Sequence, residues 1–258
     1  MSADILTIET AGRVRVLTFS RPDQLNAMND ALYEAVAAAL GAASAQAGVA
    51  VVILTGAGRA FTAGQDLGEM ETPPRYADGA QHGFRRFREA LEVFDKPLVA
   101  AVNGLGVGIG LTLLPYCDHV VMDETARLRA PFATLGVTVE AGNSWLLPAA
   151  VGWANAARIL FTAEWIGADA AREMGLVHTI APQGRALDEA QRFAAPIAAM
   201  PVASLVTTKR LLLAARNDHV RAAHNREQIA FEELARGPAN REALAAFREK
   251  RPADFSGL

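Results

Sequence analysis

Two stretches of this 258-residue chain share one design: an apolar, β-rich run, a glycine-rich turn, then a predicted helix start. The first runs Val51-Val52-Ile53-Leu54-Thr55-Gly56 and continues to Ala60-Phe61-Thr62-Ala63-Gly64-Gln65-Asp66-Leu67. The second runs Leu98-Val99-Ala100-Ala101-Val102-Asn103-Gly104 and continues to Gly106-Val107-Gly108-Ile109-Gly110. Turns of this kind leave backbone N–H groups unpaired where a helix begins, which suits an anion or an oxygen that develops negative charge. Dinucleotide binding uses similar turns, but the alternating Gly104, Gly106, Gly108 and Gly110 give no G-x-G-x-x-G, and no phosphate-loop motif occurs. Ser144 lies in Gly142-Asn143-Ser144-Trp145-Leu146, which is no nucleophile elbow. The same glycines are what close backbone packing would need. One turn alone favours packing; two matched turns shift the balance towards a site.

Composition narrows the class. The chain is 51% apolar and 21% charged, which excludes a disordered or collagen-like protein. Its 25 Lys+Arg against 28 Asp+Glu give a net charge of −3, which argues against general nucleic-acid binding. The single Cys117 can form no internal disulfide and fits a reducing compartment. Its setting beside a strand predicts a small buried residue. The five histidines show no metal-ligand spacing, so neither a metal nor a redox cofactor is expected. No window approaches ~18 uninterrupted apolar residues, and residues 1–15 lack a long apolar core. A soluble, cytoplasmic protein with no membrane insertion is expected.

The elements that must position the turns are an alternation of strands and helices. Strands are predicted at 14–19, 49–54, 97–102 and 119–122, and helices from Asn29 or Asp30 to about 47 and over 81–95. Residues 69–79, with Pro73-Pro74, read as a mobile loop. After about Arg129 the strand signal fades. Helices are predicted over 144–151, 153–163, 168–174, 187–199, 203–217, 219–236 and 240–249, with Pro201 and Pro238 at boundaries. An α/β core followed by a helical tail results.

Ser20-Arg21-Pro22-Asp23-Gln24-Leu25-Asn26-Ala27-Met28 resembles the opening motif of the enoyl-CoA hydratase/isomerase (crotonase) superfamily. So do residues 60–67, 96–118 and the closing Ala246-Phe247-Arg248-Glu249-Lys250-Arg251-Pro252. The resemblance covers nearly the whole chain. It implies an α/β spiral of ββα repeats over residues 1–195 and a C-terminal helical trimerisation region over 196–258, assembled as a homotrimer or hexamer. It also implies an acyl-CoA thioester as substrate, whose carbonyl sits between the N–H groups of Gln65 and Ile109. Removing a proton beside a thioester makes an enolate, and preorganised donors stabilise the transition state more than the ground state. By position Ala63, Asp66 and Leu67 would line the CoA, with Phe247 and Lys250 near the CoA of their own or a neighbouring subunit, and Arg21 after the first strand is a candidate cation for this anionic ligand. Arg248 and Arg251 complete a basic tail cluster.

The motif also bears on the reaction. Hydratases of the superfamily activate water with two glutamates, and the matching positions here are Thr112 and Phe132, neither of which is a base near neutral pH. Ala130-Pro131-Phe132, Leu135-Gly136 and Glu140-Ala141-Gly142 resemble the Δ3,Δ2-enoyl-CoA isomerase branch instead. There a glutamate matching Glu140 moves a proton between C2 and C4. An apolar pocket with Phe132, Val137, Val139 and Trp145 would raise its pKa towards neutral. Without the resemblance, Glu140 would read as an ordinary solvated charge. Within the branch, Val139 stands for a usual proline and Asn143 for a frequent serine. The expectation is an isomerase, with a 2-enoyl-CoA hydratase and a catalytically silent acyl-CoA-binding module as alternatives.

Overall fold

The computed structural model describes residues 5–66, 68–69, 83–235 and 237–258. The loop expected over 69–79 lies, Glu69 apart, outside them. Strands β1 (Leu6–Ala11) and β2 (Val14–Phe19) form an antiparallel hairpin, and β2 then pairs in parallel with β3 (Val51–Gly56). The sheet continues in parallel through β5 (Leu98–Val102), β7 (His119–Asp123) and β10 (Thr179–Ala181). A smaller sheet holds β4 (Ala60–Thr62), β6 (Leu105–Val107), β8 (Arg127–Arg129) and β9 (Ile166–Gly167). From β3 to β8 successive strands alternate between the two sheets, so each turn of the chain adds one strand to each. That alternation is the spiral the resemblance implies.

The run-on apolar character of the central strands follows from burial on both faces. Val52, Leu54, Ala100, Val102, Val120 and Met122 join the main core, while Val51, Ile53, Val99, Ala101 and Val121 point to the other side. That second face is covered by a helix at Ala186–Ala198, which lays Ala186, Ala190, Ala194 and Ala198 flat against it. Four alanines at four-residue spacing form one smooth stripe on a helix. The boundary expected between residues 195 and 196 falls inside this helix.

Helix α1 (Asp30–Ala45) starts where Asn29 Oδ1 accepts the Leu32 N–H at 3.0 Å. At its other end buried Lys96 donates to the carbonyls of Ala43, Gln46 and Val49 at 2.6, 2.6 and 2.8 Å. α2 (Gly83–Val93) packs on α1. Beyond α3 (Ile109–Thr112) come α4 (Asn143–Val151), α5 (Trp153–Thr162) and α6 (Ala168–Glu173). The Ala186–Ala198 helix is α7, and α8 (Val202–Ala214), α9 (Asn217–Leu234) and α10 (Pro238–Glu249) finish the chain. No single helix among the described residues is long and apolar enough to cross a membrane.

Candidate active site

The two glycine turns are in contact. A Cβ added at Gly64 would lie 2.8 Å from the Val107 carbonyl oxygen, and one at Gly110 would lie 2.9 Å from Thr62 Cγ2. The glycines therefore permit close approach, and the approach sets the Gln65 turn against the turn that leads to Ile109. On the first turn, Met28 N–H donates to Gly64 O at 2.7 Å and Asp66 N–H to Met28 O at 3.0 Å. These bonds fix the backbone on either side of Gln65, and no group among the described residues takes its own N–H. On the second, Gly108 N–H donates to Arg129 O at 2.9 Å, while Gly108 O accepts from Leu111 and Thr112. Gly108 has φ +56, a left-handed conformation that glycine tolerates and that turns the chain into α3. Ile109 is the first residue of that helix, and no group among the described residues takes its N–H.

Glu140 comes to the same place from a later segment. Thr112, fully buried on α3, donates from Oγ1 to Glu140 Oε1 at 2.6 Å. The turn after Glu140 is tight: Ala141 has φ +58 and Gly142 φ +71. A left-handed alanine costs roughly 1–2 kcal/mol, so the surroundings must hold it. They do so from several elements. Tyr116 OH donates to Ala141 O at 2.8 Å. Glu227 on α9 accepts the N–H groups of Gly142 and Ser144, both at 2.6 Å. Buried Asn143 donates through Nδ2 to Thr112 O at 2.8 Å and Ala141 O at 3.0 Å. Burial pushes the Glu140 carboxyl up to about 7, against the Thr112 hydrogen bond; nearby Glu227 adds to the rise and Arg88 opposes it. The residue still keeps some surface accessible, as a group that meets a substrate must.

The positions matching the hydratase glutamates are filled otherwise. Thr112 serves Glu140, and Phe132 is a buried member of the main core. Glu227 is itself raised by burial and is engaged by two backbone donors. Glu69, near enough to Tyr33 to raise its phenol, accepts the Asp30 N–H at 2.7 Å.

The expected CoA-lining residues divide into two groups. Arg21 reaches the Gln65 turn, but its guanidinium pairs with Asp66 at 2.8 Å and also donates to Ala27 O. Both side chains thus brace the turn. Ala63 lies half-buried in the same turn, its N–H bonded to Leu25 O at 2.9 Å, and Leu67 lies outside the described residues. Phe247 is 62% exposed on α10, and Lys250 ends that helix with φ +53. Among the described residues no hydrogen bond or ion pair links either to the glycine turns. Arg251, of the same tail cluster, pairs with Glu242 and Glu249.

Sequence reasoning missed Glu227, Tyr116, Tyr33 and Arg88 as parts of this site. Glu227 acts across 83 and 85 positions of sequence, and no local pattern marks it. Cys117, expected to be buried, is only partly so, packed against the edge of the main core, where desolvation pushes its thiol up to about 12.

Parallel strands wound between two sheets, with helices gathered at the C-terminal end, and two abutting glycine turns define a crotonase-type fold. The sequence model of the enoyl-CoA hydratase/isomerase family matches residues 9–257. A probable enoyl-CoA hydratase of Rhizobium meliloti is 34% identical over 99% of both chains. The 2,3-dehydroadipyl-CoA hydratase of Escherichia coli is 34% identical over 98% of both. The crystal structure of an enoyl-CoA hydratase/isomerase from Pseudoalteromonas atlantica superimposes with a TM-score of 0.94 at 34% identity, covering 98% of this chain and 100% of that one. The chain belongs to the enoyl-CoA hydratase/isomerase family and is an acyl-CoA enzyme of that family.

Proposed function

We propose that the enzyme shifts the double bond of an enoyl-CoA from the 3,4 to the 2,3 position through a thioester enolate. The observation that carries this reading is Glu140, held at 2.6 Å by Thr112, in a site whose other two acid/base positions are a threonine and a phenylalanine. One carboxylate suffices for a double-bond shift. Glu140 takes a proton from C2, the C–H electron pair moves into the enolate, and the same carboxyl returns the proton to C4. A group with its pKa raised to about 7 can do both near neutral pH, because neither protonation state is strongly preferred. The N–H groups of Gln65 and Ile109 receive the thioester oxygen and stabilise its charge as it grows. Arg21, Ala63, Asp66, Leu67, Phe247 and Lys250 would hold the CoA. Since Arg21 and Asp66 neutralise each other, and Arg251 is paired with Glu242 and Glu249, attraction of the phosphates falls mainly to Lys250.

Hydration is the second reading, and likeness to a probable enoyl-CoA hydratase and to the 2,3-dehydroadipyl-CoA hydratase favours it. Both reactions are followed in ultraviolet light, conjugation of a 3-enoyl-CoA raising the absorbance and hydration of a 2-enoyl-CoA lowering it. The expected result is rapid conjugation, slow hydration, and loss of conjugation by ~10²-fold or more in Glu140→Gln. Fast hydration that survives this substitution would overturn the proposal. Tight CoA-thioester binding without turnover would point to a silent binding module.

A further inference from the structure

The Thr112 hydroxyl stands between the two halves of the site. Its oxygen is 2.6 Å from Glu140 Oε1 and 3.3 Å from Gly108 O. Gly108 O and the Ile109 N–H belong to one peptide unit. A hydroxyl has one hydrogen, so it donates to one of these oxygens at a time. We infer that Thr112 is a positioning residue that couples the proton state of Glu140 to the polarity of the Gly108–Ile109 peptide. This rests on the reading that Glu140 carries the proton and Ile109 faces the enolate oxygen.

While Glu140 is ionised, Thr112 donates to it. When the C2–H bond breaks, its proton goes to Glu140 and its electron pair into the enolate. With that proton on Oε1, the oxygen Thr112 holds, the new carboxyl O–H donates to Thr112 Oγ1, and the threonine hydrogen, its own O–H bond intact, turns to Gly108 O. A hydrogen bond accepted by a peptide carbonyl strengthens the donor on the same peptide, by roughly 10–30%. Ile109 N–H is then a better donor during the interval in which the oxyanion exists, which is the differential that accelerates a reaction. Return of the proton to C4 reverses the rotation. The pivot is fixed, because Thr112 is fully buried and its carbonyl is held by Asn143 Nδ2 at 2.8 Å. Glu227 from α9, Arg88 from α2 and Tyr33 from α1 also face Glu140 electrostatically, and all three stay constant when Thr112 alone is changed.

The test compares the unaltered enzyme with Thr112→Val, Thr112→Ala, Thr112→Ser and Glu140→Gln, measuring kcat and KM for a 3-enoyl-CoA from about pH 5 to 9. Valine keeps the shape and deletes the hydroxyl. Losing a donor to the carboxylate raises its pKa, so the acid limb of kcat/KM moves up by about one pH unit. The plateau kcat falls ~10-fold with KM little changed, and serine restores both. A Thr112→Val profile that overlays the unaltered one overturns the coupling. If the valine variant fails to fold, alanine against serine gives the same contrast. Glu140→Gln separates the two claims. Activity surviving in it removes the proton-carrier reading and the coupling with it, whereas an inactive Glu140→Gln beside an unaltered Thr112→Ala profile removes the coupling alone.

Discussion

Glu140 is placed at a cost to the fold that can be measured. Its folded-state pKa of about 7 lies above the ordinary 4.5 of an unfolded glutamate, because burial disfavours the charge. Between these values the folded chain binds the proton more tightly than the unfolded chain does. Stability attributable to this group is therefore full below about pH 4.5, declines as pH rises, and stays low above about pH 7. Glu140→Gln has no such loss. We expect the variant to melt higher than the unaltered protein at pH 8, by a few degrees, with the gap closing towards pH 5. A gap that is constant with pH would mean the carboxyl is not buried as described. Enhanced stability with lost activity is what a buried, charged group in the proposed proton-carrying role predicts. The candidate base was legible in the sequence only through its motif neighbours. Nothing in the residues around Glu140 distinguishes it from a solvated charge, and its setting is made by Thr112, Tyr116 and Glu227, which are distant in sequence.

Elements, not single side chains, bring the donors together. Gly64 has φ +91, and its missing side chain lets Val107 approach. Gly64→Ala must strain the backbone and push the two turns apart. We expect a loss of roughly 2–4 kcal/mol and a fall in kcat, with the Tm read by calorimetry. An unchanged Tm would contradict the contact. Glu227 tests the other side, because its two oxygens take two N–H groups and only a carboxylate can do both. Glu227→Gln turns one acceptor into a donor facing a donor, so a loss of about 1–3 kcal/mol is expected. It also removes a negative charge near Glu140, so the acid limb of the pH profile should move down. The main strands and helices were legible in the sequence, since continuous apolar runs and 3.6-residue periodicity report burial directly. The exceptions have physical reasons. β1 is a mostly exposed edge strand, with only Leu6 partly covered, and so has no apolar run. β4, β6, β8 and β10 are three residues each, too short to show a period, and β9 has two.

On the scale of the whole molecule, the C-terminal helices join two roles. α9 carries Glu227 into the site, and Asn240 at the start of α10 donates to Leu135 O at 2.8 Å, five residues before Glu140. Exposed Leu211, Leu212, Ile229 and Phe247 lie on the same helical region. We propose that these helices pack copies of the chain together, and that Phe247 and Lys250 then approach a CoA. Light scattering should give three or six times the 27.4 kDa chain mass; a monomer that is fully active would contradict this. The central claim, that one carboxylate moves one proton across the substrate, is tested most directly with a 3-enoyl-CoA deuterated at C2 and turned over in ordinary water enriched in oxygen-18. The expected result is a 2-enoyl product that carries part of its deuterium at C4 and no oxygen-18. A 3-enoyl-CoA left unconverted, beside a 2-enoyl-CoA that the enzyme hydrates rapidly with oxygen-18, would contradict it and make the enzyme a water-activating hydratase.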